Sequence, residues 1–213
     1  MKVSIITVCL NSKNTVKYTL NSVLSQNYKN IEHIIVDGGS TDGTTEILKK
    51  YSFTKKKIFF LKKKSFYSSI NFGIKKATGD LISILHSDDI YNNNDIIKKV
   101  TKMAKNSKHK IFFGNVVYFK RTNFKKVTRF YPSKNTSRKT FAFGNMPPHT
   151  GSFYKKEIFN NYGFYNNEFK IAGDFEHLFR LIYIKNLNFK ILDLITTRMR
   201  VGGLSGKNIN SFL

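Results

Sequence analysis

Two aspartates follow a short apolar run near the middle of the chain. Residues 81–85 have the length and composition of a buried strand, and the chain then reads His86, Ser87, Asp88 and Asp89. Adjacent carboxylates directly after a buried strand cost free energy unless a positive charge or solvent surrounds them. The sequence therefore indicates either a divalent cation held by oxygen ligands or a solvated strand end.

Two other predicted strands also end in polar residues. Thr7 lies in the predicted strand 3–10 and Asn11 directly follows it, and the predicted strand 31–36 is followed by the polar segment 37–42. The carboxyl ends of parallel strands meet at one edge of a sheet, and the ligands of open α/β sheets bind there. Three such strand ends predict one shared site.

Apolar runs alternate with helical patterns four times up to about residue 105. The predicted strands are residues 3–10, 31–36, 58–61 and 81–85, and each is followed by a segment with apolar residues on one helical face. This alternation predicts an α/β fold, in which a mainly parallel sheet carries helices on both faces and the crossovers are right-handed.

The pattern changes after residue 105. Short aromatic strands are predicted at residues 111–113, 116–119 and 127–130, and further strands at 152–154 and 189–195. Asp174 opens a predicted helix, and residues 198–205 are predicted to form a glycine-containing loop. The second half is therefore predicted to be a smaller, mixed α+β region.

The composition fits one folded domain. Of the 213 residues, 40% are hydrophobic and 15% are aromatic, which supports a packed core. No linker or repeat divides the chain, so we interpret residues 1–213 as one domain with a nucleotide-type half, 1–105, and a mixed half, 106–213. No apolar run approaches the length of a membrane-spanning helix. The single cysteine, Cys9, and an N-terminus without the plan of a signal peptide favour the cytoplasm.

The chain is strongly basic. Its formal net charge is +24, from 37 Lys and Arg against 13 Asp and Glu. This balance favours polyanionic partners, among them an anionic membrane surface, although a coding bias that enriches Lys with Asn, Ile and Phe would leave most lysines on solvated faces. The lysines are not interleaved with aromatic residues in a recognisable module, and carboxylates gather where a polyanion would be repelled. We therefore expect no nucleic-acid partner.

Three segments resemble the family 2 glycosyltransferases of the GT-A fold: VSIITVCLNS, IEHIIVDGGSTDGT and INFGIKKATGDLISILHSDD. The segments HTGSFYKKEIF and FKIAGDFEHLFRL are similar to the acceptor side of the subgroup that builds bacterial surface polysaccharides, and RVGGLS resembles its closing loop. The resemblance implies an inverting, metal-dependent hexosyltransferase. It would move a sugar from a nucleotide-diphosphate sugar, with UDP favoured, to a hydroxyl of a glycan or lipid-linked saccharide.

The same resemblance assigns roles to individual residues. The donor would be bound by Thr7, Asn11, Asp37, Asn71, Asp88 and Arg200, and Mg²⁺ or Mn²⁺ would be held by Asp89 and His149. Asp174 would be the general base that removes the proton of the acceptor hydroxyl. Arg198, Arg200 and Ser205 would close over the diphosphate.

Several of these residues have a structural alternative. Asp42 and Asp174 also suit the N-cap of a helix, because a short side-chain oxygen there accepts a backbone N–H. His149 suits a buried, hydrogen-bonded structural histidine or an acceptor contact as well as a metal ligand. The arginine-containing segment near residue 200 suits a solvated loop.

Two departures from the subgroup bear on activity. Ser65 and Ser68 occupy a segment in which the subgroup usually has a glycine and an acidic residue, and His86 stands where Asn or Asp is commoner. These residues leave open a catalytically weakened, nucleotide-binding relative. A nucleotidyltransferase that makes sugar nucleotides is disfavoured, because CLNSKNT after the first strand is neither glycine-rich nor arginine-containing.

Overall fold

Strands and helices alternate through the first half of the computed structural model, which describes residues 1–62, 64–120 and 123–202, without the side chains of 123–125. The strands are β1 (Val3–Cys9), β2 (Ile31–Asp37), β3 (Lys56–Phe60), β4 (Leu81–Ile84) and the short β5 (Ile90–Tyr91). The helices are α1 (Val16–Leu24), α2 (Thr44–Lys50), α3 (Phe66–Lys76) and α4 (Ile96–Lys105). The four predicted strands of this half are confirmed, with ends shifted by one or two residues.

The second half mixes longer strands with short helices. The strands are β6 (Ile111–Lys120), β7 (Asn123–Tyr131), β8 (Ser152–Lys155) and β9 (Phe189–Arg200), and the helices are α5 (Arg138–Ala142), α6 (Glu157–Tyr162) and α7 (Gly173–Phe179). A 3₁₀ turn, His149–Gly151, precedes β8, and a turn of π-helix, Arg180–Ile184, continues α7. Neither α6 nor β5 was predicted.

The strands of the described chain form one sheet in the order β3-β2-β1-β4-β8-β6-β9-β5, with β7 beside β6. The pairs β1–β2, β2–β3 and β1–β4 are parallel, as predicted. Beyond β4 the sheet is mixed, because β8 runs antiparallel to both β4 and β6, whereas β6 and β9 are parallel. The carboxyl ends of β1, β2 and β4 therefore lie at the same edge, as the sequence predicts.

Side chains of β1 alternate between two apolar layers. Ile6 and Val8 pack on the side of α3, and Ile5 packs on the side of α1 and α4. A methyl group at Gly73 of α3 would lie only 2.6 Å from Cγ2 of Ile6, so the glycine lets this helix approach the sheet closely. The predicted α/β class with helices on both faces is confirmed. Within the described ranges, no helix combines the length and the apolar character needed to cross a bilayer.

Two boundaries of the second half differ from the prediction. The two strands predicted at 111–113 and 116–119 are one strand, whose pairing with β9 shifts register around Gly114 and Asn115. The predicted loop 198–205 is wrong at its start. Arg198 and Arg200 belong to β9, where they pair with Val117 and Phe119 of β6. Ser205 lies outside the described residues.

Candidate active site

The turn after β4 brings together three side chains that could hold a metal ion. His86, Asp88 and Asp89 each offer a ligand atom, and these atoms lie within 4.8 Å of one another. Asp89 is 1% exposed, its Oδ1 accepts the backbone N–H of Arg200 at 3.3 Å, and its Oδ2 is buried with no partner among the described residues. Burial, with a contribution from Asp88, raises the pKa of Asp89 well above its usual value. A buried carboxylate oxygen without a partner fits a divalent cation.

Side chains of the neighbouring segments hold this turn in place. The hydroxyl of Thr19, on α1, donates to the backbone carbonyl of Asp89 at 2.8 Å. The hydroxyls of Ser12 and Ser87 are hydrogen-bonded at 2.7 Å, which ties the loop after β1 to the turn after β4. The candidate metal-binding group of His86, Asp88 and Asp89 is therefore held by the loop after β1 and by α1 as well as by its own strand.

Asp37 builds a second pocket at the end of β2. Its Oδ1 accepts the N–H groups of Gly39, at 3.0 Å, and Ser40, at 2.8 Å, while its Oδ2 is buried and has no partner in the described chain. A cavity of about 300 Å³ is lined by Asp37, Gly39, Ser40, Thr45, Lys49, Phe60 and Leu61. Phe60 is 50% exposed there. The pocket thus combines a buried acceptor oxygen with an aromatic side chain, as recognition of a flat heterocycle requires.

The loop after β1 connects the Asp37 pocket to the turn after β4. The backbone N–H of Asn11 donates to the hydroxyl of Ser40 at 2.9 Å, and Oδ1 of Asn11 accepts the N–H of Thr41 at 2.9 Å. Asn11 itself has a left-handed backbone with φ of 50°, a conformation that asparagine tolerates better than most residues. Its side chain shapes the loop between the two strand ends.

Asp42 has a structural role at the start of α2, although the N-cap residue is Gly43. Its Oδ1 accepts the N–H of Thr44, the first residue of α2, at 3.0 Å, and its Oδ2 accepts the N–H of Lys13 at 2.9 Å. Asp42 therefore supports the first turn of α2 and anchors the loop that follows β1.

Asp174, at the start of α7, faces the same turn from the other half of the chain. Its Oδ1 accepts the hydroxyl hydrogen of Tyr67 at 3.2 Å. The ring centroid of His149 lies 5.6 Å from that of His86, and the Asp174 carboxylate raises the pKa of both histidines against the larger opposing effect of burial. Asp174, His149 and the turn that carries His86 thus form one cluster.

His149 is buried without a hydrogen-bond partner. It is 6% exposed, and neither ring nitrogen has a partner among the described residues. Burial lowers its pKa to about 4, so the ring is neutral at physiological pH and has a lone pair available for a metal ion. The structure therefore does not give His149 the hydrogen bonds of a structural histidine.

Two expected donor-binding residues have structural partners instead. Thr7 is fully buried, because its side chain points into the layer between the sheet and helices α1 and α2, and its hydroxyl lies 3.0 Å from Nε2 of His33. The side-chain amide of Asn71 donates to the carbonyl of Tyr165 at 2.7 Å, and its oxygen accepts the N–H of Tyr165 at 3.0 Å. Neither side chain lines the Asp37 pocket.

Arg200 lies next to the acidic turn, although in a strand rather than a loop. It is 7% exposed, and its guanidinium group stacks over Phe119 at 5.1 Å and Tyr18 at 5.6 Å. Because its backbone N–H donates to Oδ1 of Asp89, the end of β9 lies against the candidate metal-binding group.

The serine departure has a local explanation. The hydroxyl of Ser65 accepts the N–H of Ser68 at 3.3 Å, which makes Ser65 the N-cap of α3. The helix that carries Tyr67 therefore begins with an intact cap despite the missing glycine and acidic residue.

The sequence did not point to Tyr67 as a partner of Asp174. The two residues are 107 positions apart, and a tyrosine within the helical pattern of residues 66–76 looks like an ordinary core residue. A contact of that range leaves no signal in local spacing.

Comparison with known proteins gives a consistent family. The sequence matches the family model described as Glycosyl transferase family 2 over residues 4–163. It is 37% identical over 120 residues to the Escherichia coli UDP-Glc:alpha-D-GlcNAc-diphosphoundecaprenol beta-1,3-glucosyltransferase WfaP, a match that covers 55% of this chain and 46% of WfaP. The chain spans between 16% and 68% of the length of the first curated relatives that it matches.

Two solved structures share the fold. S. aureus TarS 1-349, in complex with UDP-GlcNAc, superposes with a TM-score of 0.75 at 22% identity, covering 94% of this chain and 58% of that chain. The mannosyltransferase PcManGT from Pyrobaculum calidifontis, in complex with GDP-Man and Mn²⁺, gives a TM-score of 0.72 at 17% identity, covering 99% of this chain and 60% of that chain. The fold is thus GT-A, and with a family model that matches most of its length the chain belongs to glycosyltransferase family 2.

Proposed function

We propose that this protein transfers a sugar from a nucleotide-diphosphate sugar to a hydroxyl group of a glycan or lipid-linked saccharide, with inversion at the anomeric carbon. The observation that carries the proposal is the gathering of Asp88, Asp89, His149 and Asp174 at the sheet edge that also holds the Asp37 pocket. In this proposal the two halves of one domain have different roles: residues 1–105 bind the donor, and residues 106–213 provide the acceptor side.

The Asp37 pocket is the proposed site of the base. Its buried Oδ2 would accept the imide N–H of uracil, and Phe60 would cover one face of the ring. Guanine offers similar donors, so the carboxylate alone does not separate the two bases. We favour UDP because the relative WfaP is named for a UDP-Glc donor.

The acidic turn is the proposed site of Mn²⁺ or Mg²⁺. Asp88 and Asp89 supply hard oxygen ligands, Asp88 can also contact the ribose, and His86 and His149 supply neutral imidazole nitrogens. Oδ2 of Asp89 and one ring nitrogen of His149, atoms that have no partner among the described residues, are the donors that such an ion would bind. A bound divalent cation would offset the negative charge on the departing diphosphate. Arg200 lies beside the same group.

Asp174 is the proposed general base. It would take the proton of the acceptor hydroxyl while that oxygen forms a bond to the anomeric carbon. The bond from this carbon to the diphosphate oxygen breaks at the same time, and its electron pair leaves with the nucleoside diphosphate. Attack from the face opposite the leaving group inverts the configuration. The position of Asp174 across the cleft from the acidic turn supports this role.

The acceptor side and the charge together favour work at a membrane. WfaP is named for a lipid-linked acceptor, and the +24 charge of this chain would attract it to an anionic leaflet. We therefore propose a peripheral enzyme of surface-polysaccharide synthesis that acts at the cytoplasmic face of the membrane.

The test begins with ligand binding. Thermal unfolding is followed with UDP, GDP, UDP-glucose, UDP-N-acetylglucosamine and GDP-mannose, each with Mn²⁺ or with EDTA. Uridine ligands are expected to raise the unfolding temperature, and only in the presence of Mn²⁺, because a ligand that binds the native state alone stabilises it. Stabilisation by GDP ligands alone would contradict the UDP assignment.

Turnover is then measured as release of UDP with GlcNAc-diphosphoundecaprenol as the acceptor. The matched variants are Asp89→Ala and Asp193→Ala, which change a buried aspartate of the turn and an exposed aspartate of β9. Release is expected to stop in Asp89→Ala and to continue in Asp193→Ala. Binding of UDP without turnover of any donor would favour the weakened relative instead.

A further inference from the structure

Tyr67 contacts Asp174 twice. Its hydroxyl donates to Oδ1 of Asp174 at 3.2 Å and accepts the backbone N–H of Asp174 at 3.3 Å. The second oxygen of the carboxylate, Oδ2, accepts no hydrogen bond within the described part of the chain. One hydroxyl therefore fixes both the backbone and one oxygen of the aspartate, and leaves the other oxygen for a further partner.

The chain next to Asp174 is shaped to allow this contact. A Cβ at Gly173 would lie 2.7 Å from Cε2 of Tyr67, a distance that real Cβ atoms do not reach, so only glycine lets α7 begin against the tyrosine ring. Ala172 enters the helix with φ of 63°, in the left-handed region. For a residue with a Cβ this conformation costs on the order of 1 kcal/mol or more, and such strain tends to persist at functional sites.

Tyr67 is itself held rigidly. It is 4% exposed, its ring stacks on that of Tyr165 at 5.8 Å, and the ring of Phe66 meets it edge-on at 5.2 Å. Asn71, one turn later on α3, fixes the backbone of Tyr165 through two hydrogen bonds. Burial, with the nearby Asp174 charge, raises the pKa of Tyr67 to about 12, so its hydroxyl keeps its proton.

We propose that Tyr67 is the positioning residue of Asp174, and that Ala172 and Gly173 shape the entry to α7 so that the tyrosine hydroxyl reaches the carboxylate. The inference rests on the proposed function, in which Asp174 is the general base. Tyr67 holds Oδ1, so Oδ2 faces the acceptor hydroxyl. A base must lie within hydrogen-bond distance of the proton that it removes, and a misplacement of about 1 Å can cost about 100-fold in rate.

The experiment compares Tyr67→Phe with the wild-type protein. The substitution keeps the ring and removes the hydroxyl, so kcat is expected to fall by about 10- to 100-fold while the KM for the donor stays unchanged. Gly173→Ala, which places a methyl group against the Tyr67 ring, is likewise expected to lower kcat and to leave the KM for the donor unchanged. Crystal structures of wild type and Tyr67→Phe are expected to differ in the orientation of the Asp174 carboxylate.

Tyr51→Phe is the matched control. It also removes a buried tyrosine hydroxyl, which lies 3.1 Å from Nδ1 of His33 and does not contact Asp174. Its kcat is expected to equal that of the wild type. Thermal unfolding of all three variants checks that each is folded at the assay temperature.

Three results would overturn the inference. They are a Tyr67→Phe variant with wild-type kcat, an equal loss of kcat and donor affinity, and an Asp174 carboxylate that keeps its orientation without the hydroxyl. A wild-type protein that releases no nucleotide would contradict the proposed function instead. In that case the two crystal structures still decide whether Tyr67 positions Asp174.

Discussion

The candidate cleft has two ends, the nucleobase end at Asp37 and the reaction end at Asp89 and Asp174, and they place these aspartates by different means. At the nucleobase end, Asp37 is held by the backbone N–H groups of the residues two and three positions later, in the same turn. At the reaction end, Asp89 binds the backbone of Arg200, 111 residues away, and Asp174 binds Tyr67, 107 residues away. The nucleobase end is therefore a local turn, whereas the reaction end forms only when both halves of the chain are folded against each other.

This difference predicts a division of effects. Changes in the local turn after β2 should alter affinity for the nucleotide and leave the geometry of the reaction intact. Changes at the reaction end should alter turnover, even when the substituted residue lies far from it in sequence. Each of the following experiments tests one side of this division.

The largest effect is expected from Asp174→Asn. The amide has nearly the shape of the carboxylate but cannot take a proton, so turnover is expected to fall by about 10²- to 10⁴-fold. Affinity for UDP with Mn²⁺, measured by calorimetry, is expected to stay at the wild-type value. A parallel loss of nucleotide affinity would mean that Asp174, which follows the N-cap residue Ala172 by two positions, has a structural role at the start of α7 rather than that of a base.

A smaller and opposite pattern is expected from Asp37→Asn. Removing the charge weakens the hydrogen bond to the base, and charge-assisted bonds contribute about 1.5–3 kcal/mol, so donor affinity is expected to fall about 10- to 100-fold. At saturating donor, kcat is expected to remain close to the wild-type value. If kcat fell while KM stayed constant, the division between the two ends of the cleft would be wrong.

The local end of the cleft is also the end that the sequence predicts well. Residues 31–36 are predicted to form a strand, and a polar turn follows from Asp37. Both features lie within a dozen residues. The same holds for the turn at Asp88 and Asp89. Parallel pairing of β1, β2 and β4 then brings these turns to one edge, which follows from the fold class alone.

The long-range end shows where local patterns fail. Thr7 has the right type and position for a ligand contact, but strand alternation turns it into the core beside His33. Asn71 looked like a donor contact and instead joins α3 to Tyr165. The glycines that follow Arg200 predict a loop, whereas pairing with β6 keeps Arg200 in β9. In each case a partner distant in sequence decides the role.

Asp89→Asn tests the reaction end without substrate. The pKa of Asp89 is raised in the folded protein, so its ionisation opposes folding: the contribution of this carboxyl group to stability falls as the pH rises above the unfolded value of 3.8 towards the folded pKa. The amide of the variant cannot ionise, so the variant is expected to gain stability relative to wild type between about pH 5 and pH 8 in denaturant titrations without metal. Mn²⁺ is expected to stabilise the wild type and to have little effect on the variant. A stability difference that does not change with pH would mean that Asp89 remains charged at little cost.

The smallest effect on the cleft itself is expected from charge removal outside it. Residues 96–156 contain no aspartate or glutamate, and on α4 the side chains of Lys98, Lys99 and Lys102 are exposed. Changing these three lysines to glutamine is expected to weaken binding to phosphatidylglycerol vesicles by up to about 1 kcal/mol for each lysine that lies at the surface, and to leave UDP affinity unchanged.

The control removes as many exposed lysines from outside the acid-free segment, namely Lys17, Lys29 and Lys50. Vesicle binding is measured by sedimentation at low and high salt, because attraction between exposed charges is screened by salt. If both triple variants bind as the wild type does, or if binding does not depend on salt, the basic residues are a solvated surface and have no role in membrane attachment. A loss confined to the α4 variant would instead mean that the acid-free segment faces the lipid while the Asp37 pocket, which lies outside that segment, remains open to the soluble donor.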